Sequence, residues 1–365
     1  MALQVGIVGL PNVGKSTLFS ALTKNDIEIN NYPFCTIKPN VGVAPVADER
    51  LDALWSLFPE SKKINAIQEF VDIAGLVKNA HQGEGLGNQF LSNIRNVDMV
   101  LEVVRAFPGD DIKHVEDSLD PLRDIGIIKS ELILSDLEIL TKRKEKLTKL
   151  KRSPGKEGLE AAIEWDILEI FEKNLNEEKW LHPLPEMPEK LAAKAKEVSR
   201  NFSLISTKPL LYAINILEDQ DRQSLKTDLA KINLHEDDYV FIDAKLEKEL
   251  DEMTDEEKKE LGLKSDLDNL VRQSYKKLDL LTFLTSGEKE TRAWTTPAES
   301  SAPRAASVIH SDFEKYFLFA NIINWQKLIE SGGWKKARDI GAVRREGKDY
   351  VMQEGDVVEF IIGKR

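Results

Sequence analysis

Apolar residues in much of this chain come in short, near-continuous blocks rather than in alternation. The clearest are Leu3–Val8, Asn65–Val71, Met99–Phe107, Pro209–Asn215 and Asp238–Asp243. A strand that is apolar on both sides is covered on both sides, so these blocks predict a mostly parallel sheet with helices on both faces. Ser130–Arg152 has a different rhythm: Ile133, Leu137, Leu140, Leu147 and Leu150 recur at heptad-like intervals on a charged background. That spacing predicts a long helix with a coiled-coil seam. Ser153-Pro154-Gly155 breaks the pattern, and Lys156–Asn174 resumes it with Leu159, Ala162, Ile163, Ile167, Ile170 and Phe171 on one side. Two helices joined by a short breaker predict an antiparallel hairpin arm.

The Pro-rich stretch Leu181–Pro188 closes the arm, and Glu189–Phe202 predicts a helix leading back to the sheet. The acidic Glu247–Glu260 reads as a solvated helix, and Ser265–Lys277 as the last helix of this part. Beyond Leu278 the texture changes. Leu280–Leu284 and Glu290–Thr295 flank Ser286-Gly287 as a hairpin, and Val351–Ile362 reads as a turn and a final strand. With about one helix between them, these make a small α+β unit. The expected layout is an α/β domain over residues 1–277, interrupted by a helical insertion at 128–204, then a second unit over 278–365.

Length and charge narrow the picture. The chain has 365 residues, enough for two or three domains, and its 41% apolar and 31% charged composition is that of a globular protein. A single cysteine, Cys35, forbids an internal disulfide and suits a reducing compartment. The N-terminal residues lack a basic secretory n-region, and no apolar run approaches a membrane span. A cytoplasmic protein without a membrane partner is expected. The net charge of −12 argues against whole-surface nucleic-acid binding, and no DNA partner is expected. Lys142–Arg152 nevertheless holds seven basic residues against one acid, Glu145, a stripe able to meet a phosphate backbone.

The chemistry begins at Gly9-Leu10-Pro11-Asn12-Val13-Gly14-Lys15-Ser16, a complete phosphate-binding loop between a predicted strand and a predicted helix. The helix start aims unpaired N–H groups at an anion. Asn12, Val13, Gly14, Lys15, Ser16 and Thr17 are the expected phosphate contacts; Lys15 reaches the β- and γ-phosphates, and the Ser16 hydroxyl ligates Mg²⁺. Asp72-Ile73-Ala74-Gly75 follows an apolar block and supplies an acid to support Mg²⁺ through water, with Gly75 giving close backbone approach to the γ-phosphate. Asn31–Asn40 has two prolines and no periodicity; as a switch loop it would bring Thr36 to the metal. The glycine-rich Gly83–Asn88 reads as a second flexible segment.

The base site is expected after two later strands. Asn215-Ile216-Leu217-Glu218 stands where many GTPases carry Asn-Lys-x-Asp, and Ile216 and Glu218 weaken strict guanine selection. Asp243-Ala244-Lys245 is the matching second base loop. Leu76 occupies the place of the usual water-positioning glutamine, and an alkyl group cannot orient water. His114 and His81 are the alternatives.

Taken with Phe70–Val77, Gly83–Leu91 and Arg292-Ala293-Trp294-Thr295, these motifs resemble the Obg-like ATPases, also called the YchF family, over nearly the whole chain. The resemblance implies a P-loop NTPase of the translation-factor class, with a coiled-coil insertion and a C-terminal TGS domain of β-grasp type. It implies ribosome and ribosomal-RNA association, tolerance of or preference for ATP over GTP, His114 as the catalytic candidate beside Lys15, and K⁺ held at Asn12. Asp243 departs from the family pattern, which has Ser there. The reading that emerges is a slow Mg²⁺-dependent hydrolase of ATP, and also of GTP, switching in translation or stress response. The rival is a nucleotide-gated ribosome-binding module in which hydrolysis is incidental.

Overall fold

The computed structural model describes residues 3–23, 40–73, 86–108 and 118–363. Its strands are β1 Gln4–Val8, β2 Val41–Val46, β3 Lys62–Ile64, β4 Ala66–Asp72, β5 Met99–Arg105, β6 Leu210–Asn215, β7 Tyr239–Ile242, β8 Leu280–Ser286, β9 Glu290–Pro297, β10 Phe317–Asn324, β11 Arg344–Glu346 and β12 Asp356–Ile362. Helices around the first sheet are α1 Lys15–Thr23, α2 Glu49–Trp55 and α3 Leu86–Asn96. The arm follows as α4 Pro121–Leu150, α5 Lys156–Asn176 and α6 Glu189–Asn201. Next come α7 Arg222–Lys231, α8 Ala244–Leu250, α9 Asp255–Glu260 and α10 Leu267–Lys277. The last are α11 Ala302–Ile309, α12 Asp312–Lys315, α13 Trp325–Ser331 and α14 Trp334–Asp339.

The first sheet runs β2-β4-β1-β5-β6-β7. All its pairings are parallel except β2 with β4. Every residue of β5 is buried, its apolar positions and also Glu102 and Arg105, as expected of a strand covered on both faces. Ile7 of β1 lies opposite Asp72 of β4, so the register delivers the acid beside the loop that leaves β1. β2 was not expected. Val41-Gly42-Val43-Ala44-Pro45-Val46 hides its pattern behind a glycine and a proline, and the proline is tolerated because β2 is an edge strand.

Helix α4 starts upstream of the seam, at Pro121, with Asp120 accepting from Arg123 N as its cap. Ile133, Leu140 and Leu147 are buried against Ile167, Leu168 and Phe171, as the heptad spacing predicts. Leu159 corrects the expectation for α5: it is 64% exposed, because the seam ends before the turn.

The second sheet runs β11-β10-β12-β8-β9-β3. Among the described residues it carries four short helices, α11–α14, rather than one. Each is too brief to show a period in sequence. Its edge strand β3 comes from far upstream and pairs in parallel with β9 (Lys62↔Glu290 to Ile64↔Arg292). Helix α2, just before β3, packs on β8, β9 and α13. One apolar core therefore runs from Leu51 and Leu54 of α2 to Leu284, Ala293, Leu328 and Val357. Among the described residues, no helix is long and apolar enough to cross a membrane.

Candidate functional site

The site gathers at the carboxyl ends of β1, β4, β6 and β7, where parallel strands present their loops to ligands. The loop leaves β1 close over β5: a Cβ on Gly9 would lie 2.7 Å from the Val103 carbonyl oxygen. Gly14 has φ +95°, and a Cβ there would sit 2.3 Å from Asn215 Nδ2. Any side chain at either position would hold the loop open. Leu18 N then donates to Gly14 O at 2.9 Å, closing the first turn of α1. The first turn of α1 has no acidic residue to compete for its N–H groups.

Lys15 and Asp72 face each other across this loop. Lys15 Nζ is 3.8 Å from Asp72 Oδ1, with side chains 12% and 22% exposed. That is an ion-pair distance and not a hydrogen bond. Asp72 Oδ1 is buried with no hydrogen-bond partner among the described residues. Burial pulls the Lys15 ammonium below its ordinary range against the opposing pull of Asp72. Burial likewise lifts the Asp72 carboxyl, with Lys15 opposing. Both charges are thus under-solvated, and an anion beside Lys15 or a cation beside Asp72 would relieve them. Ser16 is exposed and Thr17 half-buried at the start of α1; the side chain of Val13 is buried, so only its backbone serves the loop. Asn12 is exposed with φ 64°.

Asn215 ties the loops together. Its Nδ2 donates to Val13 O at 2.8 Å, and its Oδ1 accepts from Ala244 N at 3.1 Å. It is 3% exposed, and both ends of its carboxamide serve as a brace. Asp243 caps α8, Oδ1 accepting from Lys245 N at 3.1 Å and Leu246 N at 3.0 Å, while Oδ2 accepts from Glu218 N at 3.1 Å. The Glu218 side chain is exposed. The Ile216 side chain is fully buried in a cluster with Val104, Tyr212 and Leu229, so only its backbone faces the base loop.

Thr36, Gly75 and His114 lie outside the described residues, as do Cys35, Leu76, His81 and the 83–85 glycine segment. The sequence reading missed Gln220. Its Oε1 accepts from Leu217 N at 3.3 Å, and its Nε2 donates to Ala106 O at 2.5 Å, tying the Asn215–Glu218 loop to the end of β5. It also missed Arg95 of α3, which pairs with the fully buried Asp136 of α4 at 2.8 Å. Only the fold makes these pairs neighbours.

A parallel sheet whose first strand feeds a phosphate loop, with a lysine and an acid converging there, defines a P-loop NTPase of the GTPase fold. A family model described as 50S ribosome-binding GTPase matches residues 4–135. A second, for the C-terminal part of YchF GTPases and described as a protein of unknown function (DUF933), matches residues 280–362. The chain is 43% identical to the ribosome-binding ATPase YchF of Bacillus subtilis over 99% of both proteins. It is 42% identical to that of Haemophilus influenzae, again over 99% of each. The solved Schizosaccharomyces pombe YchF GTPase superposes with TM-score 0.86 at 35% identity, covering 98% of this chain and 97% of that one. A GTP-binding protein from Pyrococcus horikoshii shares the fold at TM-score 0.58 and 21% identity, covering 99% and 100%. The chain belongs to the YchF family.

Proposed function

We propose that this protein is a ribosome-binding nucleoside triphosphatase of the cytoplasm, hydrolysing ATP and also accepting GTP. The observation that carries the reading is the Lys15–Asp72 pair across a phosphate loop, with one oxygen of Asp72 buried and unbonded among the described residues. In this reading the loop N–H groups and Lys15 hold the β- and γ-phosphates and neutralise charge that grows on them during γ-phosphoryl transfer to water. Asn215 keeps the loop in place, and the loops after β6 and β7 take the base.

The residues fit Mg²⁺. Ser16 and Thr36 would hold it and Asp72 would accept from its water, an oxygen donor set proper to a hard cation. The ion would supply further charge neutralisation at the phosphates. His114 is the proposed water-positioning residue in place of Leu76. One carboxamide oxygen, from Asn12, does not define a K⁺ site, and the mechanism uses none. The α/β unit over 1–277, the arm at 128–204 and the unit over 278–365 are the proposed domains.

Ribosomal RNA is the proposed partner of the arm tip, through fewer residues than the basic stripe offers. Arg143 is committed to Glu164 at 2.6 Å, and Lys144 to Glu172 at 2.6 Å. Lys151 stacks on Trp165. Lys146, Lys149 and Arg152 are exposed and face outward. The test measures hydrolysis and ribosome co-sedimentation on the full chain. Lys15→Ala should lower the hydrolysis rate by about 10²–10³-fold. Replacing Lys146, Lys149 and Arg152 by Ala should weaken co-sedimentation and flatten its salt dependence. An unchanged rate in the first variant, or no sedimentation of the unmodified protein, defeats the corresponding half of the reading.

A further inference from the structure

We propose that Asp243 is the positioning residue that sets the nucleobase preference of this protein, by pinning the Glu218 backbone against the start of α8. The inference rests on the reading that a nucleoside triphosphate seats its phosphates on the Gly9–Ser16 loop.

The geometry places the base between two loops. β6 and β7 end side by side, Asn215 opposite Ile242. The Asn215 carboxamide spans from Val13 O to Ala244 N. Any group that extends away from phosphates on the 13–16 backbone toward these strand ends meets the segments 216–218 and 243–245. The side chain that recognises a purine there must come from a segment whose backbone does not drift.

The 243–245 segment is held by α8, which it starts. The 216–218 segment has less to hold it. Ile216 N donates to Ile242 O at 2.9 Å, the last bond of strand type. Leu217 N leans on Gln220 at 3.3 Å, and the Leu217 and Glu218 side chains are exposed. Among the described residues, Glu218, the one acid of the segment, is held by the bond from its N–H to Asp243 Oδ2 at 3.1 Å.

The carboxylate is suited to this double duty. Oδ1 already accepts two N–H groups of α8, so the tether needs the second oxygen. A side chain with one oxygen would cap α8 or hold Glu218 without spanning both. Asp243 need not touch the base to govern it: it fixes where the Glu218 carboxylate stands, and the two purines differ in the groups they turn toward that carboxylate, so its placement sets the ratio of ATP to GTP affinity.

The names of the relatives divide between ATPase and GTPase, which makes base choice the property to measure. Dissociation constants for the β,γ-imido analogues of ATP and GTP are determined by titration on the full-length protein and on Asp243→Asn and Asp243→Ala, with thermal melts of each. Asn keeps an oxygen for the cap but turns an N–H group toward the Glu218 N–H. Ala removes all three bonds. Both variants should narrow the ratio of the two constants by about three- to tenfold, the worth of one hydrogen bond, and Ala should also lower the melting temperature. A purely structural cap would weaken both analogues in parallel and leave the ratio unchanged; that result, or a parent protein that does not discriminate, overturns the proposal. Failure of the parent protein to bind either analogue overturns the functional reading instead.

Discussion

Glu102 is the residue whose burial has the clearest thermodynamic consequence. It lies mid-strand in β5, 1% exposed, beside Tyr212 of β6 in register. Its Oε1 has no hydrogen-bond partner among the described residues. Burial, with Asp124 adding repulsion and Lys129 opposing, holds its carboxyl well above its ordinary value of 4.5. The sign follows from proton counting. Above about pH 4.5 the unfolded chain has released this proton while the folded chain still holds it, so stability falls as pH rises toward the folded value. Glu102→Gln keeps the neutral form permanently. Urea unfolding at pH 5 and pH 8 should find the variant close to the parent at the lower pH and more stable at the higher one. Equal stability increments at both values would mean that Glu102 folds already ionised. Residues of this kind were not legible in the sequence: an acid inside an apolar block looks like any other acid. Lys15 and Asp72 were legible because each sits in a motif at the end of an apolar block, whereas the inward turn of the Ile216 side chain was not, because a motif carries no information on which way a side chain points.

At the scale of elements, legibility follows length and covering. The five apolar blocks became strands, and the heptad seam became the α4–α5 interface, since burial on both faces or along a stripe leaves a periodic trace. Strand β3 and helices α12–α14 leave none, because partners distant in sequence stabilise them. The same holds for the link between α3 and the arm. Arg95 Nη1 donates to Asp136 Oδ1 at 2.8 Å and to Ser203 O at 3.0 Å. Asp136 Oδ2 accepts from Ser206 N at 2.8 Å and from Ser206 Oγ at 2.7 Å. Asp136 is 0% exposed, so its charge depends on this set of donors. Arg95→Ala should cost about 3 kcal/mol, toward the lower end for breaking a buried pair because Ser206 still donates. Arg95→Lys should recover part of it, returning the charge but not the fork. Denaturant unfolding of both variants measures the difference, and a loss of under about 1 kcal/mol would place the pair among surface ion pairs instead.

At the scale of the whole molecule, the chain that reads as two units packs as one. The segment between β2 and β4 leaves the nucleotide-binding sheet, lays α2 on the second sheet and adds β3 to its edge before β4 returns to Asp72. Polar ties secure the junction. Arg50 is bonded to Asp48 and pairs with Glu354 at 2.5 Å, and Glu354 also accepts from Thr282 N at 2.9 Å. Ser61 and Thr291 share a buried hydrogen bond at 3.2 Å, and Tyr275 OH of α10 bonds Thr282 and Thr295 at 2.9 and 3.0 Å. Leu51 and Leu54 are fully buried in the core that spans both parts. A chain ending at residue 277 would leave β3 without its ladder and uncover these leucines, at about 1.5–3 kcal/mol for each side chain fully exposed. That loss is a large share of the stability of any domain. The shortened chain should therefore melt at least about 10 °C below the full protein and bind a hydrophobic dye at room temperature, with the nucleotide sheet the first to loosen at β2 and β4. If it melts at the temperature of the full protein and stays dye-free, the shared core is a contact between two self-sufficient domains, and β3 belongs to the second sheet by proximity alone.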